Sequence, residues 1–132
     1  MQISAKVQSR FHAQDTVVQT NHLPTNLTIP VKATGYGSAV NGGELLMLAL
    51  ATCFCNDIYR EALKRKIAVS AVEVECTADF GAEGEPGRNI QYTARVSADA
   101  SSAVIDELIR ATDQLAEVHN TLRKGVEVKL IT

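Results

Sequence analysis

The sequence predicts an α+β fold, with antiparallel strand pairs packed around one long central helix. Two observations carry most of this expectation. Gln2 to Phe11 and Ala71 to Phe80 alternate apolar and polar residues with a period of two. Glu44 to Lys66 instead carries its apolar residues at helical spacing. At 132 residues the chain reads as one domain, residues 1–132.

Ile3, Ala5, Val7 and Phe11 alternate with polar neighbours and predict a half-buried first strand. Asp15 reads as a turn residue, and Thr16 to Thr20, β-branched at four of five positions, as the second arm of a hairpin. Leu27-Thr28-Ile29 reads as a short third strand closed by Pro30. Val31 to Gly43 holds four glycines and reads as a loop leading into a helix. In that helix Leu45, Leu48, Ala49, Thr52, Cys53 and Asn56 make one stripe, and Leu46, Leu50, Phe54 and Ile58 another. Its N-terminal half is thus apolar nearly all round and predicts a central or interface position. Its C-terminal half, from Arg60 to Lys66, reads as solvated, with cations that complement the helix dipole.

Val72, Val74, Cys76, Ala78 and Phe80 predict the inner face of the next strand, and Glu73, Glu75, Thr77 and Asp79 its outer face. Gly81 to Asn89 reads as a hairpin loop, and Ile90, Tyr92, Ala94 and Val96 as the partner strand. Asp99, Ser101 and Ser102 offer N-caps for a second helix. Val104, Ile105, Leu108, Ile109, Thr112, Leu115 and Ala116 form its buried face, and Gly125 ends the region. Val126, Val128 and Leu130 read as a closing strand.

Composition narrows the function. A net charge of -2 gives no basic excess to neutralise phosphates, and 5% aromatic residues gives no base-stacking surface, so no nucleic-acid partner is expected. The seven-residue apolar run from Leu45 to Ala51 is too short to span a bilayer, and the N-terminus lacks a secretory h-region, so no membrane partner is expected. Three cysteines, an odd number, do not make a disulfide framework, which fits a cytoplasmic protein with free thiols. His12, His22 and His119 show no helical pair spacing and no C-x-x-C is present; only a grouping of His22, His119 and a cysteine stays open, and neither metal nor cofactor is expected. The glycines from 35 to 43 form no phosphate-binding fingerprint.

The thiols remain. Cys53 and Cys55 lie on one helix about 200° apart, so they cannot join in a disulfide while the helix stands. Cys53 and Asp57, four residues apart, share a face. That carboxylate raises the thiol pKa unless Arg10 or Arg60 offsets it. Buried packing is the plain alternative for each cysteine, and Cys76 alternates with core valines. Glu44, in the first helical turn, has dipole and capping chemistry as its plain alternative.

The run Gly43-Glu44-Leu45-Leu46-Met47-Leu48-Ala49-Leu50-Ala51-Thr52-Cys53, followed by Asp57, resembles the OsmC-like (osmotically inducible protein C and organic hydroperoxide resistance) family. Val118-His119-Asn120-Thr121-Leu122, followed by Gly125 and Val126, resembles that family's second signature. The resemblance implies an intertwined homodimer and a thiol-dependent peroxidase active in oxidative stress. It places Cys53 at the peroxidatic position and Glu44 near the catalytic glutamate. It takes the catalytic arginine from the N-terminal strands, where Arg10 is the candidate. The resolving cysteine's position is Ala116, so catalysis implies an external thiol reductant. The alternative is a non-catalytic dimer that binds a small apolar molecule.

Overall fold

Residues Ile3–Arg10 form β1, Ala13–Thr20 form β2 and Leu23–Asn26 form β3, joined as an antiparallel sheet in the order β1-β2-β3. The computed structural model describes all residues, 1–132, gathered into two compact units, Met1–Leu45 and Leu46–Thr132. In the first unit Arg10 pairs with Ala13 across a two-residue turn, with His12 at φ 54. Asp15, expected in a turn, instead lies within β2. Its carboxylate accepts a hydrogen bond from Arg10 at 2.9 Å.

Asn21 and His22, at φ 48 and 67, make a second tight turn with the both-positive pattern that matches strand twist. This turn starts β3 at Leu23, earlier than the expected Leu27–Ile29. Pro24 is tolerated there because β3 is an edge strand. The alternation in β1 is present, but its burial is not: every β1 residue is exposed, with Ile3 at 66% and Val7 at 57%. No second layer within the unit covers that face.

Helix α1 (Gly42–Lys64) begins with a reciprocal cap. Asn41 Oδ1 accepts from the Glu44 N–H, and Asn41 Nδ2 donates to Glu44 Oε1, both at 2.8 Å. The second unit comprises the body of α1, the antiparallel pair β4 (Val69–Asp79) and β5 (Arg88–Ala98), and helices α2 (Ser102–Leu115) and α3 (Glu117–Lys124). Ser101 caps α2 by accepting from the Val104 N–H.

Phe54, Ile58 and Ala62 of α1, Leu108 of α2, and Ala116 form the core, with Val72 and Val74 of β4 and Tyr92, Ala94 and Val96 of β5 against it. Burying Phe54 or Ile58 stabilises the fold by about 1.5–3 kcal/mol each. In β4, Val72, Val74, Cys76 and Ala78 turn inward and Glu73, Glu75, Thr77 and Asp79 outward, as the alternation predicts. Phe80 departs from that face. It follows the strand, stays 53% exposed, and lies so close over Gly87 that an added Cβ would meet its ring at 2.7 Å.

Four further expectations are corrected. Glu61 and Ala62, read as solvated, are buried; Lys64 and Arg60 ion pairs let the Glu61 carboxylate enter. Val104 and Leu115, read on the buried face of α2, are exposed, and the helical region is two helices rather than one. The break is Ala116, which is extended at ψ 105. Asn120 Nδ2 donates to the Gln114 carbonyl and Arg123 Nη1 to the Asp113 carbonyl, satisfying the freed end of α2. The expected closing strand does not form. Val128 and Leu130 are 94% and 89% exposed in irregular chain, because no strand in the chain pairs with them. No helix is long and apolar enough to cross a membrane.

Candidate functional site

Cys53 lies on α1 one turn before Asp57, and helical geometry brings their side chains together. The Cys53 thiol donates to Asp57 Oδ2 at 3.4 Å. The break at Ala116 turns the start of α3 toward the same place, and Glu117 joins the group. The sulfur and one oxygen from each of Asp57 and Glu117 lie within 4.8 Å of one another. Three such donors could hold a cation, and here Arg60 supplies positive charge. Its Nη1 sits 3.1 Å from Asp57 Oδ1 and 3.1 Å from Glu117 Oε1, and its Nε donates to buried Glu61 at 3.0 Å.

Competing forces set the protonation of this cluster. Burial pushes the Cys53 thiol up, and Asp57 and Glu117 push it further, while the Val118 N–H favours the thiolate. Burial also raises the Asp57 carboxyl and Glu117 adds to this, against the Cys53 bond and Arg60. Asp57 is thus a stronger base than a free aspartate and already holds the thiol proton in a hydrogen bond. Cys76, on β4, is raised by burial alone. All three cysteines are free and half-buried.

Beside this cluster is a cleft of about 260 Å³ lined by Leu50, Ile90, Tyr92, His119, Leu122 and Arg123. His119 is 5% exposed, stacks edge-on to Tyr92 with ring centroids 4.6 Å apart, and has neither nitrogen hydrogen-bonded. An unmet buried donor costs about 1–3 kcal/mol. Burial and the Arg123 charge lower the His119 pKa, against Asp113 and Asp57.

Of the residues expected at the site, Cys53 bonds to Asp57, as above. Arg10 bonds to Asp15 across the β1–β2 hairpin, and Glu44 bonds to Asn41 in the helix cap. The offsetting charge on Asp57 comes from Arg60 rather than Arg10. The sequence offers His119 only in an open metal grouping with His22 and a cysteine, and singles out neither Glu117 nor the Val118 N–H as a site group. Their signal was the second signature itself, which adjoins the Ala116 position, but only the helix break reveals which way they face.

Comparison with known proteins follows the same lines. The family model described as OsmC-like protein matches residues 35–131. Among solved structures, an OsmC-like protein from Mycoplasma pneumoniae is 21% identical, with a TM-score of 0.62, covering 95% of this chain and 87% of its own. The organic hydroperoxide resistance protein OhrB of Bacillus subtilis is 25% identical, with a TM-score of 0.55 and 96% of each chain covered. A hydroperoxide resistance protein from Vibrio cholerae with captopril bound in one active site is 24% identical, with a TM-score of 0.57, covering 98% of this chain and 89% of its own. No curated protein matches the chain. With most of its length matched by the family model and its fold shared with these structures, the chain belongs to the OsmC-like protein family.

Proposed function

We propose that the chain reduces organic hydroperoxides through Cys53, with electrons from an external thiol. The observation that carries this reading is the Cys53–Asp57 hydrogen bond, in which the carboxylate receiving the thiol proton has a raised pKa. The Cys53 proton passes to Asp57 as the sulfur attacks the terminal oxygen of the hydroperoxide. An S–O bond forms, the O–O bond breaks, and the alkoxide leaves as an alcohol after taking the proton from Asp57. The two-electron oxidation leaves Cys53 as a sulfenic acid. With Ala116 at the resolving position, an external thiol attacks that sulfur and releases water. A second thiol then reduces the mixed disulfide and restores Cys53. The Val118 N–H supports the thiolate, and Arg60 steadies Asp57 and Glu117. Arg10 and Glu44 are proposed, on the family resemblance, as the arginine and glutamate that poise the thiolate and the hydroperoxide; in the chain they bond to Asp15 and Asn41.

The working form is proposed to be a cytoplasmic homodimer of one domain per chain. Exposed Ile3 and Val7 on β1, Leu48 on α1, and Val128 and Leu130 in the tail support a second copy as their cover. The test is hydroperoxide consumption with alkyl and aryl hydroperoxides and with mono- and dithiols. Turnover that is lost in Cys53→Ser is expected; equal consumption by Cys53→Ser refutes the reading. One observation favours a second reading, a non-catalytic dimer binding a small apolar molecule: burial raises the Cys53 thiol instead of lowering it. No consumption with any thiol is its expected result.

A further inference from the structure

The cleft at His119 is left unused by the thiol chemistry. Its polar groups are unequally committed. The Tyr92 hydroxyl donates to Asp113. Arg123 donates to the carboxylate and carbonyl of Asp113 and to Asn120. His119 alone among them has both ring nitrogens without a partner while 5% exposed. Burial holds this imidazole neutral, so it offers one donor and one acceptor. Leu50, Ile90 and Leu122 supply an apolar bed, and Tyr92 an aromatic wall.

We propose that this cleft binds a small neutral ring compound bearing one hydroxyl group, a phenol or cyclic alcohol, whose ring lies on Leu50, Ile90 and Leu122 and whose hydroxyl bonds His119 after a turn of the imidazole. A hydroxyl both donates and accepts, so it can pair with whichever His119 ring nitrogen faces it, the N–H donor or the bare acceptor. A carboxylate fits less well, because Asp113 already occupies the Arg123 charge. A volume of about 260 Å³ suits one ring rather than a long acyl chain. The proposal does not rest on Cys53 reactivity.

The test is a titration of the full chain carrying Cys53→Ser with phenol and with benzene, followed by amide and imidazole resonances. Both compounds should shift Leu50, Ile90 and Leu122, with phenol about fivefold tighter, the worth of one net hydrogen bond. The His119→Phe variant keeps a ring beside Phe54 and Tyr92 and should abolish the difference. The Leu122→Trp variant, on the more exposed rim, should weaken both compounds at least tenfold (roughly, for a filled pocket) and serves if His119→Phe does not fold. Equal affinities in the parent, discrimination surviving His119→Phe, or undiminished binding to Leu122→Trp overturns the proposal. So does the absence of shifts with either compound, the result if a buried water or a second copy of the chain fills the cleft. An inert Cys53 in the hydroperoxide assay changes none of these outcomes, so the two readings fail separately.

Discussion

The Cys53 thiol donates to Asp57 at 3.4 Å, and the same carboxylate is held from its other oxygen by Arg60 at 3.1 Å. Asp57 therefore acts on the sulfur in two opposed ways. Its charge disfavours the thiolate, while its bond accepts the thiol proton.

Asp57→Asn separates these effects. Without the negative charge, the thiol pKa falls, so alkylation at neutral pH should speed up several-fold. Without the base, hydroperoxide turnover should fall about a hundredfold, a usual loss for a general base. Parallel changes in the two rates would show that Asp57 only sets the thiol pKa.

The chain should sediment as a dimer at micromolar concentration, about twice its 14.2 kDa mass. Leu48, Val128 and Leu130 are exposed at 59%, 94% and 89% in the single chain, apolar surface that a second copy removes from water. A 14.2 kDa species at that concentration excludes the dimer.

In β4, Val74 packs against the core while Glu75 faces outward. Val74→Asp should unfold the protein, because it buries an unpaired charge. Glu75→Lys should alter stability by no more than about 0.5 kcal/mol. Thermal unfolding of both variants checks the register; equal damage contradicts it.

The parts legible in the sequence were those where one chain covers its own pattern. The β4 alternation held because α1 and α2 supply the core that Val72 and Val74 meet. The β1 alternation was equally clear, yet every residue of β1 is exposed, because periodicity reports a face and not what covers it. The tail failed as a strand for the same reason: Val126, Val128 and Leu130 find no pairing partner in the chain. At the site, Cys53 and Asp57 were legible because their relation is local, four residues on a helix. Glu117 and His119 were not. Their approach depends on a bend at Ala116, a residue that favours helix and carries no breaking signal.

Stability should fall on acidification below about pH 6.5, the ordinary histidine value. Burial, with the Arg123 charge, holds the folded His119 pKa below that value, while Asp113 and Asp57 oppose the shift. A depressed pKa means that the unfolded chain takes up the proton first. The contribution is therefore complete above pH 6.5 and is lost as pH falls toward the folded pKa. Urea unfolding from pH 7.5 to 5 should show this loss, and His119→Phe should flatten it. An unchanged slope in that variant assigns the effect to other groups.

Cys53 should be the most peroxide-sensitive of the three thiols. The Val118 N–H favours its thiolate and Asp57 is a base bonded to it, whereas burial alone acts on Cys76. With alanine at position 116, limited hydroperoxide treatment without reductant should stop at the sulfenic acid or proceed to the irreversible sulfinic acid. No bridge to Cys55 should form, because α1 is continuous from Gly42 to Lys64 and points the two side chains apart. Intact mass spectrometry should show a gain of one or two oxygens that maps to Cys53 and is absent in Cys53→Ser. A loss of two hydrogens with a mapped 53–55 bridge would require α1 to unwind during oxidation and would sink the one-cysteine mechanism. An unchanged mass would leave Cys53 as a packing residue.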